Sequence, residues 1–214
     1  MKLVWSPEIA LKAYTDTVIS CGDMEGSSVA EFISAMAAGW NARLVVETWT
    51  RGGAIASSIG LAIATRHSGG RHVCVVPDED SRSAYIEAMR NSGQAADVVV
   101  GRPEEAVEGL EGIDFLLVDC SRNNFASILR VAKLGHRGAV LICKNASSGA
   151  TVGFRWRNVL DQGLRIVRSE FLPVGKGLDM AYIGAKGGGS GKKGQSRWIK
   201  TVDSHTGEEF VIRK

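Results

Sequence analysis

Long apolar runs are missing from this chain: none approaches the roughly 20 consecutive hydrophobic residues that a membrane-spanning helix requires, which excludes a span of that kind. Met1 to Pro7 carries one lysine and only a very short apolar stretch, unlike a secretory signal. The expected compartment is therefore a reducing one, cytosol or nucleus. Cysteine supports this, since there are only four and no Cys/His cluster with ligand spacing. Cys74, Cys120 and Cys143 lie in or beside strand-like Val/Leu/Ile runs and read as buried thiols. His67, His72, His136 and His205 are scattered, and no metal site is expected. No internal repeat occurs. A charge of one sign is also absent from the body of the chain. Of 26 Lys/Arg and 23 Asp/Glu, seven and three lie between Lys186 and Lys214, so the formal net charge of +3 belongs to this tail.

What is present is a globular composition, 44% hydrophobic and 23% charged, in 214 residues, enough for one well-buried core and an appendage. Two helices come first. Ser6 is placed to cap the N-terminus of Pro7 to Ser20, and Ser28-x-x-Glu31 is a capping-box pattern opening Ser28 to Trp40. Strands are expected at Ala42 to Thr50, His72 to Val76, Asp97 to Val100, Asp114 to Val118 and Gly138 to Cys143. Between them, helices are expected near Ala54 to Arg66, Ser81 to Ser92, Pro103 to Leu110 and Asn124 to Gly135. Ile55, Ile59 and Ile63 recur every four residues, whereas FLLV and AVLI are continuous apolar runs, as in strands covered on both faces. Crossovers of helical length impose parallel pairing. Two later strands, Leu164 to Leu172 and Leu178 to Ala185, are separated only by Pro173-Val174-Gly175-Lys176-Gly177, too short for a crossover, and should pair antiparallel at one edge.

The domain division that follows is 1–41, N-terminal helices packed on the core; 42–185, the α/β domain; 186–196, a Gly/Lys-rich linker; and 197–214, a hairpin. Ligands of open α/β sheets sit beyond the carboxyl ends of the strands where the strand order reverses. Those ends carry Val45-Val46-Glu47-Thr48-Trp49-Thr50-Arg51-Gly52-Gly53, Val76-Pro77-Asp78-Glu79-Asp80, Gly101-Arg102-Pro103, Asp119-Cys120-Ser121-Arg122-Asn123-Asn124 and Lys144-Asn145.

These ends, with Asp114 to Asp119 and Leu172 to Leu178, resemble the "fDlvFiDa" strand and "lPiGDGl" turn of the caffeoyl-CoA O-methyltransferase group. The stretches GRHVCVVPDE, GIDFLLVDC, GAVLICKN and FLPVGKGLDMAYIG look closer still to a plant family of unknown function classed as S-adenosylmethionine-dependent methyltransferase-like. The resemblance implies a Rossmann-like class I methyltransferase fold. Its seven-stranded, mostly parallel sheet would have the order 3-2-1-4-5-7-6, with the last strand antiparallel and helices on both faces. It implies S-adenosylmethionine as cofactor, held by Glu47, Trp49, Gly52, Gly53, Asp78, Gly101, Arg102 and Asp119. It also implies a homodimer, since dimers are common among the enzymes it resembles.

Three departures mark this chain. Trp49 stands where the cofactor loop has its first glycine, and either stacks on an adenine or fills the pocket. Pro77 occupies the usual position of the ribose-binding acid, with Asp78 one step on. Where metal-dependent members have a second carboxylate this chain has Lys144, whose ammonium is expected to pair with Asp119 while Asn145 completes the cluster. Lys144, Asp119 and Asn145 are thus the candidate catalytic group, as a general base or substrate clamp, against the plainer reading of a structural ion pair. Two functions remain open: metal-independent methyl transfer to an unidentified substrate, or a methyltransferase-fold binding module without catalysis. A small molecule in the strand-end crevice is the expected ligand. A nucleic acid is the alternative partner, suggested by the interleaved Arg155-Trp156-Arg157 and Lys192-Lys193-x-x-x-Arg197-Trp198-x-Lys200, although no recognised nucleic-acid motif accompanies them.

Overall fold

The computed structural model describes residues 4–147, 151 and 153–185, together with the backbone alone of Trp198–Val202 and Glu209–Arg213. Helix α1 (Pro7–Cys21) starts as its sequence dictates, with Pro7 in the first turn and the Ser6 hydroxyl accepting from the Ile9 amide. Its buried residues, Ala10, Ala13, Thr17 and Cys21, recur at helical spacing and face α2 (Ser27–Gly39) and α3 (Ala56–Ser68). Inside that contact the Thr17 hydroxyl donates to the Ala13 carbonyl and lies 2.8 Å from Ser34 Oγ, whose proton it can accept, so both buried hydroxyls are satisfied. The helices approach closely because their facing residues are small. A Cβ on Gly60 of α3 would lie 2.7 Å from the Ala30 carbonyl oxygen of α2.

The expected capping box does not form. Helix α2 begins one residue earlier, with Gly26 in the left-handed conformation (φ 84°) at the N-cap and no capping side-chain bond. Glycine adopts that conformation without the Cβ penalty other residues meet, so the backbone sets the helix entry.

The main sheet contains β1 (Leu44–Thr48), β2 (Arg71–Val76), β3 (Asp97–Val100), β5 (Phe115–Asp119), β7 (Ala139–Lys144), β8 (Ile166–Leu172) and β9 (Leu178–Ile183). Their spatial order is β3-β2-β1-β5-β7-β9-β8. Counted along the chain within this sheet, that is 3-2-1-4-5-7-6. All neighbours pair parallel except β9, which is antiparallel to both β7 and β8. Helix α4 (Glu79–Asn91) joins α2 and α3 over one face, where Ile33, Ile59, Ile63, Tyr85, Leu117 and Ile142 share a core. On the other face α5 (Pro103–Glu108), α6 (Phe125–Val131) and a single turn, α7 (Trp156–Val159), pack Val107, Leu129 and Trp156 against Leu116, Val118 and Leu141. All six residues of β7 are buried, the two-sided covering that its continuous apolar run implies.

The helix expected over Asn124 to Gly135 stops at Val131. The chain turns extended at Ala132 and lays β6 (Lys133–Leu134) parallel to β4 (Glu111–Ile113) in a separate two-stranded sheet. Leu134 is buried there, so tertiary pairing takes residues that helical periodicity alone would have kept. Beyond the domain, β10 (Trp198–Val202) and β11 (Glu209–Arg213) pair antiparallel, from Trp198 opposite Arg213 to Val202 opposite Glu209. The expected Gly/Lys-rich linker at 186–196 lies outside the described residues.

Candidate functional site

Strand β1 is hydrogen-bonded to β2 on one side and β5 on the other, so the strand order reverses at β1, and a crevice opens beyond the carboxyl ends of β1 and β5. Its walls are Thr48, Trp49, Thr50 and Gly53 after β1, Pro77 after β2, Pro103 and Asp119, Arg122 and Asn124 after β5, Ile128, and Lys144 at the end of β7. The enclosed volume is about 160 Å³.

On the β1–β2 side the expected ligands are occupied elsewhere. Glu47 is fully buried and faces the core, where its Oε1 accepts from Tyr85 Oη at 2.9 Å and lies 3.1 Å from His72 Nε2. Burial opposes its ionisation. The hydrogen bond and charge of His72, with the charge of Lys144 and the Ser58 hydroxyl, outweigh burial and hold the Glu47 carboxyl below its ordinary pKa. Burial and the neighbouring Glu47 push the Tyr85 phenol upward, which keeps it a donor. Trp49 is 6% exposed, with its ring 5.3 Å from Tyr85 in an edge-to-face contact and its Nε1 donating to the Gly53 carbonyl at 3.2 Å. The indole therefore fills the space between the glycine turn and α4.

Asp78 serves as the N-cap of α4, its carboxylate accepting the Ser81 amide at 2.7 Å. Gly101 (φ 156°) donates its amide to the Val76 carbonyl. The exposed Arg102 ion-pairs with Glu105 at 3.2 Å. Neither Asp78, Gly101 nor Arg102 lines the crevice. Gly52 (φ 83°) has open space where a Cβ would stand and makes the turn.

On the β5–β7 side the chemistry remains at the opening. Asp119 and Lys144 are register partners at the ends of adjacent strands, yet the expected ion pair between them is not formed. Lys144, 7% exposed, instead donates to Ser57 Oγ in the first turn of α3 at 3.3 Å, because its long side chain runs under that helix. Its charge acts on Asp119 and Glu47 from beyond contact distance. Asp119 Oδ1 accepts three hydrogen bonds, from the Ser121 amide, Ser121 Oγ and Asn145 Nδ2 at 2.7–2.9 Å. Asn145 reaches it from a left-handed backbone (φ 59°), a conformation asparagine tolerates better than most residues. Burial raises the Asp119 pKa, but Asn145, Ser121 and the Lys144 charge bring the net value below the usual one. The acid therefore stays ionised.

Sequence reasoning placed Thr48, Thr50, Pro77, Pro103, Arg122 and Asn124 at strand ends but gave none of them a ligand role, and it missed Ile128 as a wall of the crevice. Arg122 donates to Thr50 Oγ1 and so bridges the two walls, and Asn124 donates to Glu104. No local motif announces them. They meet only because β1 and β5 are adjacent. Among the described residues no group of three His, Cys, Asp or Glu could hold a metal ion, and Lys144 beside Asp119 opposes one. Elsewhere, Trp156 is buried with its Nε1 on Asp179, so Arg155-Trp156-Arg157 offers cations without an exposed ring. The basic stretch from Lys192 to Lys200 has no described side chains.

With a sheet of this order, helices on both faces and a crevice at its switch point, the chain has the class I methyltransferase fold. It belongs to the DUF1442 family, described as proteins of unknown function, whose model matches residues 1–214. Solved structures that resemble it include a methyltransferase from Geobacter sulfurreducens (21% identity, TM-score 0.57, covering 81% of this chain and 88% of that one). A second is the methyltransferase PaMTH1 of Podospora anserina bound to SAH (16%, 0.58, 83% and 88%). A third is the O-methyltransferase TomG of Streptomyces achromogenes in complex with SAM (20%, 0.56, 86% and 92%). No curated protein sequence matches.

Proposed function

We propose that this chain is a methyltransferase-fold binding protein whose strand-end crevice no longer receives S-adenosylmethionine. The observation that carries this is Trp49, buried in the loop where the cofactor needs close approach to backbone. Around it the crevice holds about 160 Å³, well below the roughly 300 Å³ at which pockets for cofactor-sized ligands begin. The carboxylates that would meet the cofactor's amino and ribose groups are bound instead to Tyr85 and His72 or to the Ser81 amide. The residues present do not fit the cofactor, and no methyl-transfer step follows from them.

A second reading, metal-independent methyl transfer to an unidentified substrate, is favoured by one observation. The Gly52-Gly53 turn is retained, and a single 3.2 Å hydrogen bond tethers the indole to it. An indole that swings out would open the loop, leaving Lys144, Asp119 and Asn145 to meet the substrate. Calorimetric titration of the purified protein with S-adenosylmethionine and S-adenosylhomocysteine separates the two. We expect no binding up to millimolar concentration; micromolar binding of either would overturn the first reading in favour of the second.

A further inference from the structure

We infer that the crevice binds a small zwitterion with one carboxylate and one ammonium group, the chemistry of a free amino acid; the inference rests on the reading that S-adenosylmethionine is excluded. The space is of the right size. About 160 Å³ is the share of roughly five liquid water molecules, enough for an amino acid with a short side chain.

The charges on its walls are of both signs, and their hydrogen-bond partners are neutral. Lys144, Arg122 and Asp119 all line it, and none makes an ion pair within 4 Å among the described residues, although eight other Lys or Arg side chains do. Lys144 is the costly one, a buried ammonium whose hydrogen bond among the described residues goes to a neutral serine hydroxyl.

The first turn of α3 adds to the positive side. Its N-cap position, Ile55, makes no side-chain bond, and its first turn has no acid. The amides of the buried residues Ala56, Ser57 and Ser58 reach no backbone carbonyl among the described residues. Helix α4, by contrast, is capped by Asp78 and has Glu79 and Asp80 in its first turn. Since Lys144 bonds to Ser57, the positive end of the α3 dipole lies beside the ammonium and adds to the field that a carboxylate at the Lys144 wall would meet.

Asp119 fixes the other end. Its three hydrogen bonds all fall on Oδ1, which leaves Oδ2 without a hydrogen-bond partner among the described residues, in a side chain that lines the crevice. A simple inorganic anion would face that oxygen with like charge, and a simple amine would leave Lys144 and Arg122 unanswered. A zwitterion satisfies both. Pro77, Pro103, Ile128 and the Trp49 ring supply the apolar wall for an aliphatic side chain.

The test is calorimetric titration of the full chain with L-alanine, L-valine, 3-methylbutanoate (valine without its amine), isobutylamine (valine without its carboxylate) and inorganic phosphate. Valine is expected to bind at least about tenfold tighter than either fragment, the effect of one charge-assisted hydrogen bond. Asp119→Asn, which keeps the side-chain shape, should abolish the preference for valine over 3-methylbutanoate. Arg122→Gln should weaken valine and 3-methylbutanoate and leave isobutylamine unchanged. Phosphate binding tighter than valine, silence with every probe, or a preference that survives Asp119→Asn would overturn the inference. Silence towards valine together with silence towards S-adenosylmethionine sinks this inference alone; tight S-adenosylmethionine binding sinks the reading beneath it.

Discussion

Along the β1–β2 half of the crevice the charged side chains turn away from the opening, whereas along the β5–β7 half they line it. Glu47 is locked into a buried cluster with His72 and Tyr85, Asp78 caps a helix, and an indole fills the space between. Across the crevice, Asp119, Arg122 and Lys144 keep charge at the wall without contact ion pairs. The difference teaches that strand-end position does not by itself make a ligand-binding residue. What decides is whether the interior offers the side chain a better partner. At Glu47 it does; at Asp119 the partners are neutral and leave one oxygen over.

The sharpest way to break this contrast is to truncate matching residues on the two sides. Glu47→Ala leaves His72 and Tyr85 facing an empty core position and should lower unfolding stability by about 3–5 kcal/mol in a denaturant titration. Arg122→Ala, at the crevice mouth, should change it by no more than about 0.5 kcal/mol. Equal losses would mean that the open half is structural too.

A second substitution sharpens the open half. Because Asp119 and Lys144 are register partners, Lys144→Asp sets two carboxylates side by side and should create weak divalent-cation affinity measurable by calorimetry, absent in the parent. A blank with the variant folded would mean that the two strand ends do not converge as described.

The effect of pH is smaller. Asp119 has a folded-state pKa below its ordinary value, so its contribution to stability is complete above about pH 4 and is lost as pH falls through the lowered value. Asn145→Ala removes one of the bonds that lower it and should make this loss smaller and complete at a higher pH. An unchanged acid limb would detach Asn145 from the acid. Smallest of all, Asp78→Ala should cost a helix cap, seen as a slightly lower melting temperature, while leaving crevice ligand binding untouched. A change in ligand affinity would return Asp78 to the site.

Much of the fold was legible because its signals are local and repeated. The FLLV and AVLI runs become strands buried on both faces, and the short Pro173 to Gly177 connection does join the antiparallel pair. The β4–β6 pairing was not legible, since Lys133-Leu134 continues a helical pattern and only contact with Glu111–Ile113 pulls it out. The site was legible as a place and less so as a set of roles. Register alone brings Asp119 and Lys144 together, but the direction of a lysine side chain depends on where Ser57 of α3 falls, 87 positions away in sequence. The capping role of Asp78 did have a local signal, an acid ahead of Glu79-Asp80-Ser81 at a helix start, which competed with the strand-end reading. Arg122 had none.

The buried Trp49 indole closes the β1–β2 half of the crevice, and Trp49→Gly would reopen it. Removing a buried indole should cost about 3–5 kcal/mol, so Trp49→Leu, which keeps part of the apolar volume, is measured beside it. Titrated with S-adenosylhomocysteine, the parent should be silent, Trp49→Gly should bind, and Trp49→Leu should bind more weakly. Both variants folded and silent, or a parent that binds as well as Trp49→Gly, would contradict the claim.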